Sequence, residues 1–364
     1  MNLHRNTYVE INLNNIKYNV NSIINNHKCY KYYIGVVKAN CYGHKDIKTV
    51  KAIIKGGCNY LAVATLDEAL YIRKHIKNIP ILCLGVIPYE YVKICKKKNI
   101  TITINSLDYM KELSYQNIKN LKVHIKINTG MNRLGISNVE EVLRVMELAK
   151  NNNIILEGIY THIYEASNIE LYNKQKEAFE NILKNIKADE IFDIIHMSAS
   201  EAMTLYEKPK FVNGCRLGII MYGFTARKDL NLKSTFKLYS EVIQINTIKK
   251  DETVGYNGIY KSKNDKEKIA VVSIGYDDGI IRKNTGRYVY INDKEYPIVG
   301  NVCMDMLFVK VDDDVNVHDK VEVLKDVKHI EEVAKYLETI PYEIICSVGD
   351  RVVRKYCWKL LEFY

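Results

Sequence analysis

No Cys-x-x-Cys pair occurs among the nine cysteines of this chain, and nine is an odd number. A disulfide framework or a zinc site built on paired thiols is therefore not expected, nor is any other metal. Stretches such as "ILCLG" and "NVCMDM" set their thiols in apolar company, which fits reduced, buried cysteines in the cytoplasm. The opening "MNLHRNTYVEINL" has no apolar core of signal-peptide length. No run approaches the ~18 apolar residues that a membrane span needs. Arginine-rich tracts interleaved with aromatics are also missing. The net charge of +10, from 53 basic and 43 acidic residues, is spread through stretches such as "KDIKTVKAIIKGG" and "KICKKKN". It reads as a solvated surface rather than a nucleic-acid groove. A soluble, cytoplasmic protein with neither membrane nor nucleic acid as partner is expected.

What is present is ample apolar material in a regular order. The chain has 364 residues, 47% of them hydrophobic, enough for two domains or for one barrel with an addition. Eight apolar runs of strand length follow one another: "YYIGVVK", "YLAVAT", "PILCLG", "ITITIN", "LKVHIKIN", "LEGIYTHI", "IIHMSAS" and "VNGCRLGII". Amphipathic stretches of helical period lie between most of them, clearest in "DEALYIRKHI" and "VEEVLRVMELAKNNN". A strand–helix alternation repeated eight times predicts an α/β fold, a parallel (β/α)8 barrel of the TIM type. From about residue 236 the pattern changes to strands joined by short turns, with Asn292 and Asp293 as a hairpin turn and one helix around "HIEEVAKYLE". This divides the chain into a barrel over 13–235 and a mostly β domain over 236–364. A leading strand within 1–12, "YVEINL", precedes the barrel and is expected to join the second domain.

A barrel keeps its chemistry at the C-terminal ends of its strands. There the sequence places Lys38, in "VVKANCYGH"; Lys126, Asn128 and Arg133, in "KINTGMNRLG"; His162, in "THIYEAS"; His196 and Ser200, in "HMSAS"; and Arg216 and Gly218, in "NGCRLG". Each has an ordinary reading taken singly: a snorkelling lysine, a hydrogen-bonded histidine, a paired arginine. Together at one end of one barrel they make chemical sense. Lysine forms imines with aldehydes. Ser200 with the backbone amides of Gly218 and Ile219 would bind an anion, since glycine permits close backbone approach and barrels bind phosphate at their last strands. An imine-forming lysine beside a phosphate cradle points to pyridoxal 5'-phosphate.

These motifs resemble the alanine racemases. "VVKANCYGH", "KINTGMNRLG", "RLGIIMYG", "IGYDDG" and "VGNVCMD" are similar to five motifs of that family, in the same order and across both domains. The resemblance implies a homodimeric racemase of a small amino acid, making D-alanine for peptidoglycan. It implies that Lys38 holds pyridoxal phosphate and is one acid–base. Tyr42, Ser200, Gly218 and Ile219 would bind the phosphate, and Arg216 would face the pyridine nitrogen. His162 would orient Arg216 and the second acid–base, Tyr256 in "TVGYNG". Tyr256, Met304 and Asp305 would enter from the other subunit. Arg133 would bind the substrate carboxylate, and Lys126 matches a lysine that is carbamylated in many members.

Three stretches depart from the common pattern. Asp350, in "CSVGDRVVR", stands where a tyrosine often touches the phosphate and narrows the entrance. Ala199 replaces an asparagine, and Tyr164 and Glu165 replace small residues. The first two are similar to serine racemases, so a serine or broad-specificity racemase is the alternative substrate reading. A pyridoxal-phosphate carrier of the single-barrel type is the non-enzyme alternative, and it would need neither a β domain nor Tyr256.

Overall fold

The structure is a computed structural model that describes residues 4–358; residues 1–3 and 359–364 of the two expected end segments lie outside the described residues. Each of the eight apolar runs forms one strand: β2 (Tyr32–Val36), β3 (Tyr60–Val63), β4 (Ile81–Cys83), β5 (Thr101–Ile104), β6 (Lys122–Lys126), β7 (Ile155–Tyr160), β8 (Ile194–His196) and β9 (Gly214–Leu217). All neighbours are parallel, and β2 pairs with both β3 and β9, so the sheet closes into a barrel. Strands such as β3 and β5 are buried at every position, because a barrel strand is covered on one face by helices and on the other by the packed interior.

The two clearest helical stretches form helices with sequence-encoded ends. Leu66–His75 starts on a capping box in which the Glu68 amide donates to Thr65 Oγ1 at 3.3 Å and the Thr65 amide donates to the Glu68 carboxylate at 3.2 Å. Its first turn is acidic and its last turn carries Arg73, Lys74 and His75, in line with the helix dipole. Val139–Asn151 is capped by Asn138 and buries Val142, Val145 and Ala149 on the face toward the barrel.

The second domain is a mixed sheet dominated by antiparallel pairs. Strand β1 (Tyr8–Asn12) leaves the barrel and joins it, lying between β10 (Phe236–Ile248) and the last strand. After β10 come β11 (Thr253–Val254), β12 (Tyr260–Lys261), β13 (Glu267–Val272), β14 (Tyr288–Ile291), β15 (Lys294–Val299), β16 (Leu307–Val311), β17 (Lys320–Leu324) and β18 (Val353–Cys357). Strand β10 pairs with β17 over Leu238–Glu241 and with β13 over Val242–Ile248, so β13-β16-β15-β14-β17-β10 returns on itself. The β14–β15 hairpin turns at Asn292 and Asp293, both with positive φ, as expected. The expectation of one helix is corrected: besides Val327–Tyr336 there is a second, Pro341–Ser347, started by a proline in its first turn. The cysteines divide as well. Cys41, Cys58, Cys83, Cys95 and Cys215 are buried, whereas Cys29 and Cys346 are exposed.

Candidate active site

Strand β2 does not deliver Lys38 by simply ending. Ala39, Asn40 and Cys41 have (φ, ψ) of (50°, 50°), (53°, 49°) and (54°, 48°), and Tyr42 has φ 53°, so the chain makes a left-handed turn directly after the lysine. For L-residues this conformation costs on the order of 1–2 kcal/mol per residue. Contacts from distant parts of the chain hold it. The Ala39 amide donates to Glu68 Oε1 at 2.6 Å, so the residue that caps one helix also fixes the start of the turn. Arg354 Nε donates to the Gly43 carbonyl at 3.2 Å, and Tyr356 donates to the His44 carbonyl at 2.9 Å. The exit needs glycine: Gly43 has φ 77°, and a Cβ there would stand 2.1 Å from the Ile345 carbonyl oxygen. The β domain thus clamps the lysine turn onto the barrel. Strain of this kind collects at functional sites, where surrounding structure over-determines the backbone.

The turn opens onto a cavity of about 350 Å³ at the C-terminal end of the barrel. Lys38, Tyr42, Lys126, Arg133, His162, Ser200, Arg216, Gly218 and Ile219 all line it. Among the described residues the Lys38 amine takes no hydrogen bond or ion pair, so its nucleophilic atom is uncommitted. Five basic side chains, Lys38, Lys126, Arg133, His162 and Arg216, and one carboxylate, Glu201, border the space, which suits an anionic occupant.

Arg216 is 4% exposed and makes most of the site rigid. Its Nη2 donates to the Thr161 and Met197 carbonyls at 2.9 Å each and to His162 Nδ1 at 3.1 Å, and its Nη1 donates to His196 Nδ1 at 2.7 Å. Nε takes no hydrogen bond among the described residues and remains as a spare N–H. Burial pulls the guanidinium down to about 10, still cationic at neutral pH. His162, desolvated and facing Arg216, Lys126, Arg133 and Lys38, is held far below the usual imidazole range and is neutral. Since it accepts at Nδ1 from a guanidinium, it carries its hydrogen on Nε2. Lys126 is 8% exposed, and burial with Arg216 and Arg133 nearby lowers its amine to about 6. Both side chains lie over the Tyr160 ring, Lys126 Nζ at 4.7 Å and Arg216 Cζ at 5.5 Å, and the ring face offsets part of the desolvation of the Arg216 cation.

Tyr42, Ser200 and Gly218 form a small polar cradle in the wall of the cavity. The Gly218 amide donates to Ser200 Oγ at 3.0 Å. A Cβ on Gly218 would stand 3.1 Å from the Tyr42 hydroxyl and 3.5 Å from Ser200 Oγ, within the space these groups enclose. The residues present therefore fit pyridoxal phosphate: hydroxyls and backbone amides for a phosphate, a free guanidinium N–H for a ring nitrogen, and a free amine for an aldehyde.

Not every expected residue meets there. Tyr256 is 71% exposed and Met304 52%, and neither lines this chain's own cavity. Asp305 also stays outside and pairs with Arg351 Nη2 at 2.7 Å. These residues sit on loops tied to one another: Asn301 Nδ2 donates to the Tyr256 carbonyl at 2.8 Å, and the amides of Tyr276 and Asp277 donate to the carbonyls of Cys303 and Met304. Ile259, Tyr276, Ile281 and Met306 are exposed on the same loops, an apolar concentration unusual for a free surface. Asp350 is corrected. Its carboxylate is exposed, pairs with Lys45 and does not line the cavity. The cavity-lining aromatic that this end of the chain supplies is Tyr342 in Pro341–Ser347, with its ring centroid 5.9 Å from that of Tyr42. Sequence reading missed Tyr342 because its stretch showed no helical period, and missed Tyr160 because it reads as one more strand residue. Of the departures from pattern, Ala199 and Tyr164 do line the cavity.

Fold and site define a class: barrel enzymes whose chemistry centres on a strand-end lysine and an anion cradle, completed by a β domain. Family models for the N-terminal domain of alanine racemase, over residues 11–226, and for its C-terminal domain, over 235–356, both match, and the chain belongs to the alanine racemase family. It is 35% identical over 367 residues to alanine racemase 1 of Bacillus subtilis, covering 97% of this chain and 93% of that one. It is 35% identical over 369 residues to alanine racemase of Staphylococcus saprophyticus, covering 97% and 95%. Among solved structures, alanine racemase of Bacillus anthracis with bound L-Ala-P superposes with a TM-score of 0.91 at 30% identity, covering 100% of this chain and 98% of that one. Alanine racemase of E. faecalis gives 0.91 at 31%, covering 98% and 100%. No helix among the described residues is long and apolar enough to cross a membrane.

Proposed function

We propose that this chain interconverts L- and D-alanine in the cytoplasm with pyridoxal 5'-phosphate as cofactor, as a homodimer, and that the D-amino acid serves peptidoglycan. The observation that carries this reading is the uncommitted Lys38 amine, held by a left-handed turn in a cavity whose wall includes the Tyr42–Ser200–Gly218 cradle. When bound, the cofactor supplies an electron sink for the α-carbon of an amino acid. Lys38 moves a proton at that carbon from one face, and Tyr256 of the partner subunit moves one from the other, so neither has to cross. Tyr42, Ser200 and the amides of Gly218 and Ile219 bind the phosphate. Arg133 binds the substrate carboxylate, and the partner subunit's Met304 and the partner subunit's Asp305 border it. Arg216 keeps its own proton, because a guanidinium lowered to about 10 by burial is still cationic at neutral pH. Its spare Nε–H would donate to the ring nitrogen of the bound cofactor without protonating it, which would moderate the sink and disfavour side reactions. His162 steadies Arg216.

The direct test is a chiral assay of purified protein with pyridoxal phosphate and each L-amino acid in turn; D-alanine formation is expected, and none would overturn the reading. Serine belongs in the same assay, because Ala199, smaller than the asparagine common there, lines the cavity. Asp350 adds nothing to the serine reading, because its carboxylate pairs with Lys45 outside the cavity.

Two expected results address the cofactor end. Gly218→Ala puts a methyl into the phosphate cradle and should weaken pyridoxal phosphate binding about tenfold or more, the scale of one displaced set of charge-assisted hydrogen bonds. A cofactor titration of the dialysed protein measures it, and unchanged affinity would move the phosphate elsewhere. Lys126 should carry a carbamate. An amine at about 6 is neutral at physiological pH; its nitrogen bonds to the carbon of carbon dioxide and loses one proton to solvent, and the resulting carbamate anion compensates Arg133 and Arg216. Native mass spectrometry should show the added carbon dioxide above pH 6 and its loss below, as the amine protonates. Lys126→Ala should abolish the increment.

A further inference from the structure

The interior of a barrel is normally filled by layers of branched apolar side chains. This one contains a line of polar groups that starts at Arg216 and leaves the active site. Arg216 Nη1 meets His196 Nδ1 at 2.7 Å, His196 Nε2 meets His124 Nδ1 at 3.0 Å, and His124 Nε2 meets Glu157 Oε2 at 3.3 Å. Both imidazoles are fully buried. The Tyr60 hydroxyl at 2.7 Å and the Thr101 hydroxyl at 2.9 Å also donate to Glu157 Oε2. Lys122 Nζ, half-exposed at the opposite mouth of the barrel, binds Glu157 Oε1 at 2.6 Å.

The hydrogens in this line have one consistent arrangement. A guanidinium only donates, so His196 Nδ1 accepts and its hydrogen is on Nε2. That hydrogen is donated to His124 Nδ1, which leaves the hydrogen of His124 on Nε2, aimed at the carboxylate. Burial, before the nearby charges, lowers both imidazoles, so both are neutral. Burial alone would raise Glu157, but the bonds from His124, Lys122 and Tyr60 outweigh it and keep the carboxyl below its usual range. The opposite direction fails at the active site. If the far end donated, His124 Nε2 would accept, His196 Nε2 would accept in turn, and the hydrogen of His196 would sit on Nδ1. It would then face an Arg216 N–H at 2.7 Å, two donors against each other.

We infer that Glu157 is a positioning residue for the active site, acting through a one-way hydrogen-bond chain Arg216→His196→His124→Glu157 that locks both histidine tautomers and so keeps Arg216 oriented with its spare Nε–H presented to the cofactor's ring nitrogen. The last step rests on the cofactor reading above; the direction of the chain does not.

Neutron diffraction of the unaltered protein, cofactor-free, reads the direction without any variant. Deuterium on Nε2 of both His196 and His124 is expected, and deuterium on Nδ1 of either overturns the inference. The second measurement uses Glu157→Gln, which keeps the shape but no longer dictates direction. Binding of pyridoxal phosphate and of its 1-deaza analogue, which lacks the ring nitrogen, is titrated. Pyridoxal phosphate should lose about tenfold in affinity relative to the parent protein, while the analogue changes less than about twofold. Thr101→Val, which removes a donor to the same carboxylate outside the chain, should shift neither. Equal losses for both compounds in Glu157→Gln, or no loss for either, would make Glu157 a purely structural residue. If the parent protein binds no pyridoxal phosphate, the cofactor reading fails, and the neutron result still decides the chain.

Discussion

Lys38→Ala is expected to lose racemisation by a factor beyond the roughly 10²–10⁴ that a single acid–base group contributes, because in the proposed reading the same amine would also anchor the cofactor. The fold should survive. Lys38 is partly exposed, its amine takes no partner, and the left-handed turn after it is held by Glu68, Arg354 and Tyr356, none of which touches the removed group. The melting temperature should therefore stay within a few degrees, as for changes away from the core. Lys38→Arg sharpens the test. It keeps the positive charge but offers no amine that can lose its proton at working pH, so it should be as inactive as alanine. Activity and the visible absorption of the cofactor-treated protein are measured side by side. If the arginine variant works, charge is what the position supplies; if the alanine variant works, the lysine is not the one.

How much of this was legible beforehand follows from which physics is local. The eight barrel strands were readable because a barrel strand is buried on both sides and its apolar run is nearly continuous. Lys38, His162, Ser200 and Arg216 were readable as polar residues at the ends of such runs, where a barrel presents its chemistry. The turn that aims Lys38 was not. Ala39, Asn40, Cys41 and Tyr42 have no common preference for left-handed backbone, and the groups that impose it lie about thirty to three hundred residues away. Tyr342 and Asp350 make a related point. Sequence register put Asp350 at the entrance, but Lys45 draws its carboxylate outward, and the helix Pro341–Ser347 supplies the aromatic instead. His124 and Glu157 were invisible for the opposite reason. Each is one polar residue in an apolar strand, and only closure of the barrel brings β6 and β7 into the arrangement that makes them partners.

Tyr256→Phe is expected to remove proton transfer on one face only. The cofactor should bind as before, because none of the groups lining this chain's cavity is altered. In deuterated solvent, exchange at the α-carbon should persist from one enantiomer and fail from the other; equal loss for both would argue against two separate groups. The stronger result concerns where the tyrosine acts. It stands 71% exposed on loops tied together through Asn301, among other exposed apolar residues, and away from the cavity of its own chain. In the two-fold dimer proposed above, each such tyrosine would serve the partner's lysine. Co-expressed Lys38→Ala and Tyr256→Phe chains should then form heterodimers in which one site has both residues intact and the other has neither. Purified through two different affinity tags, these heterodimers should recover about half the activity of the parent dimer, one good site of two. Mixtures of the separately purified homodimers should recover none unless subunits exchange. If verified heterodimers are as inactive as either parent variant, both groups come from the same chain, and the exposed loop of Tyr256 must fold back onto its own barrel.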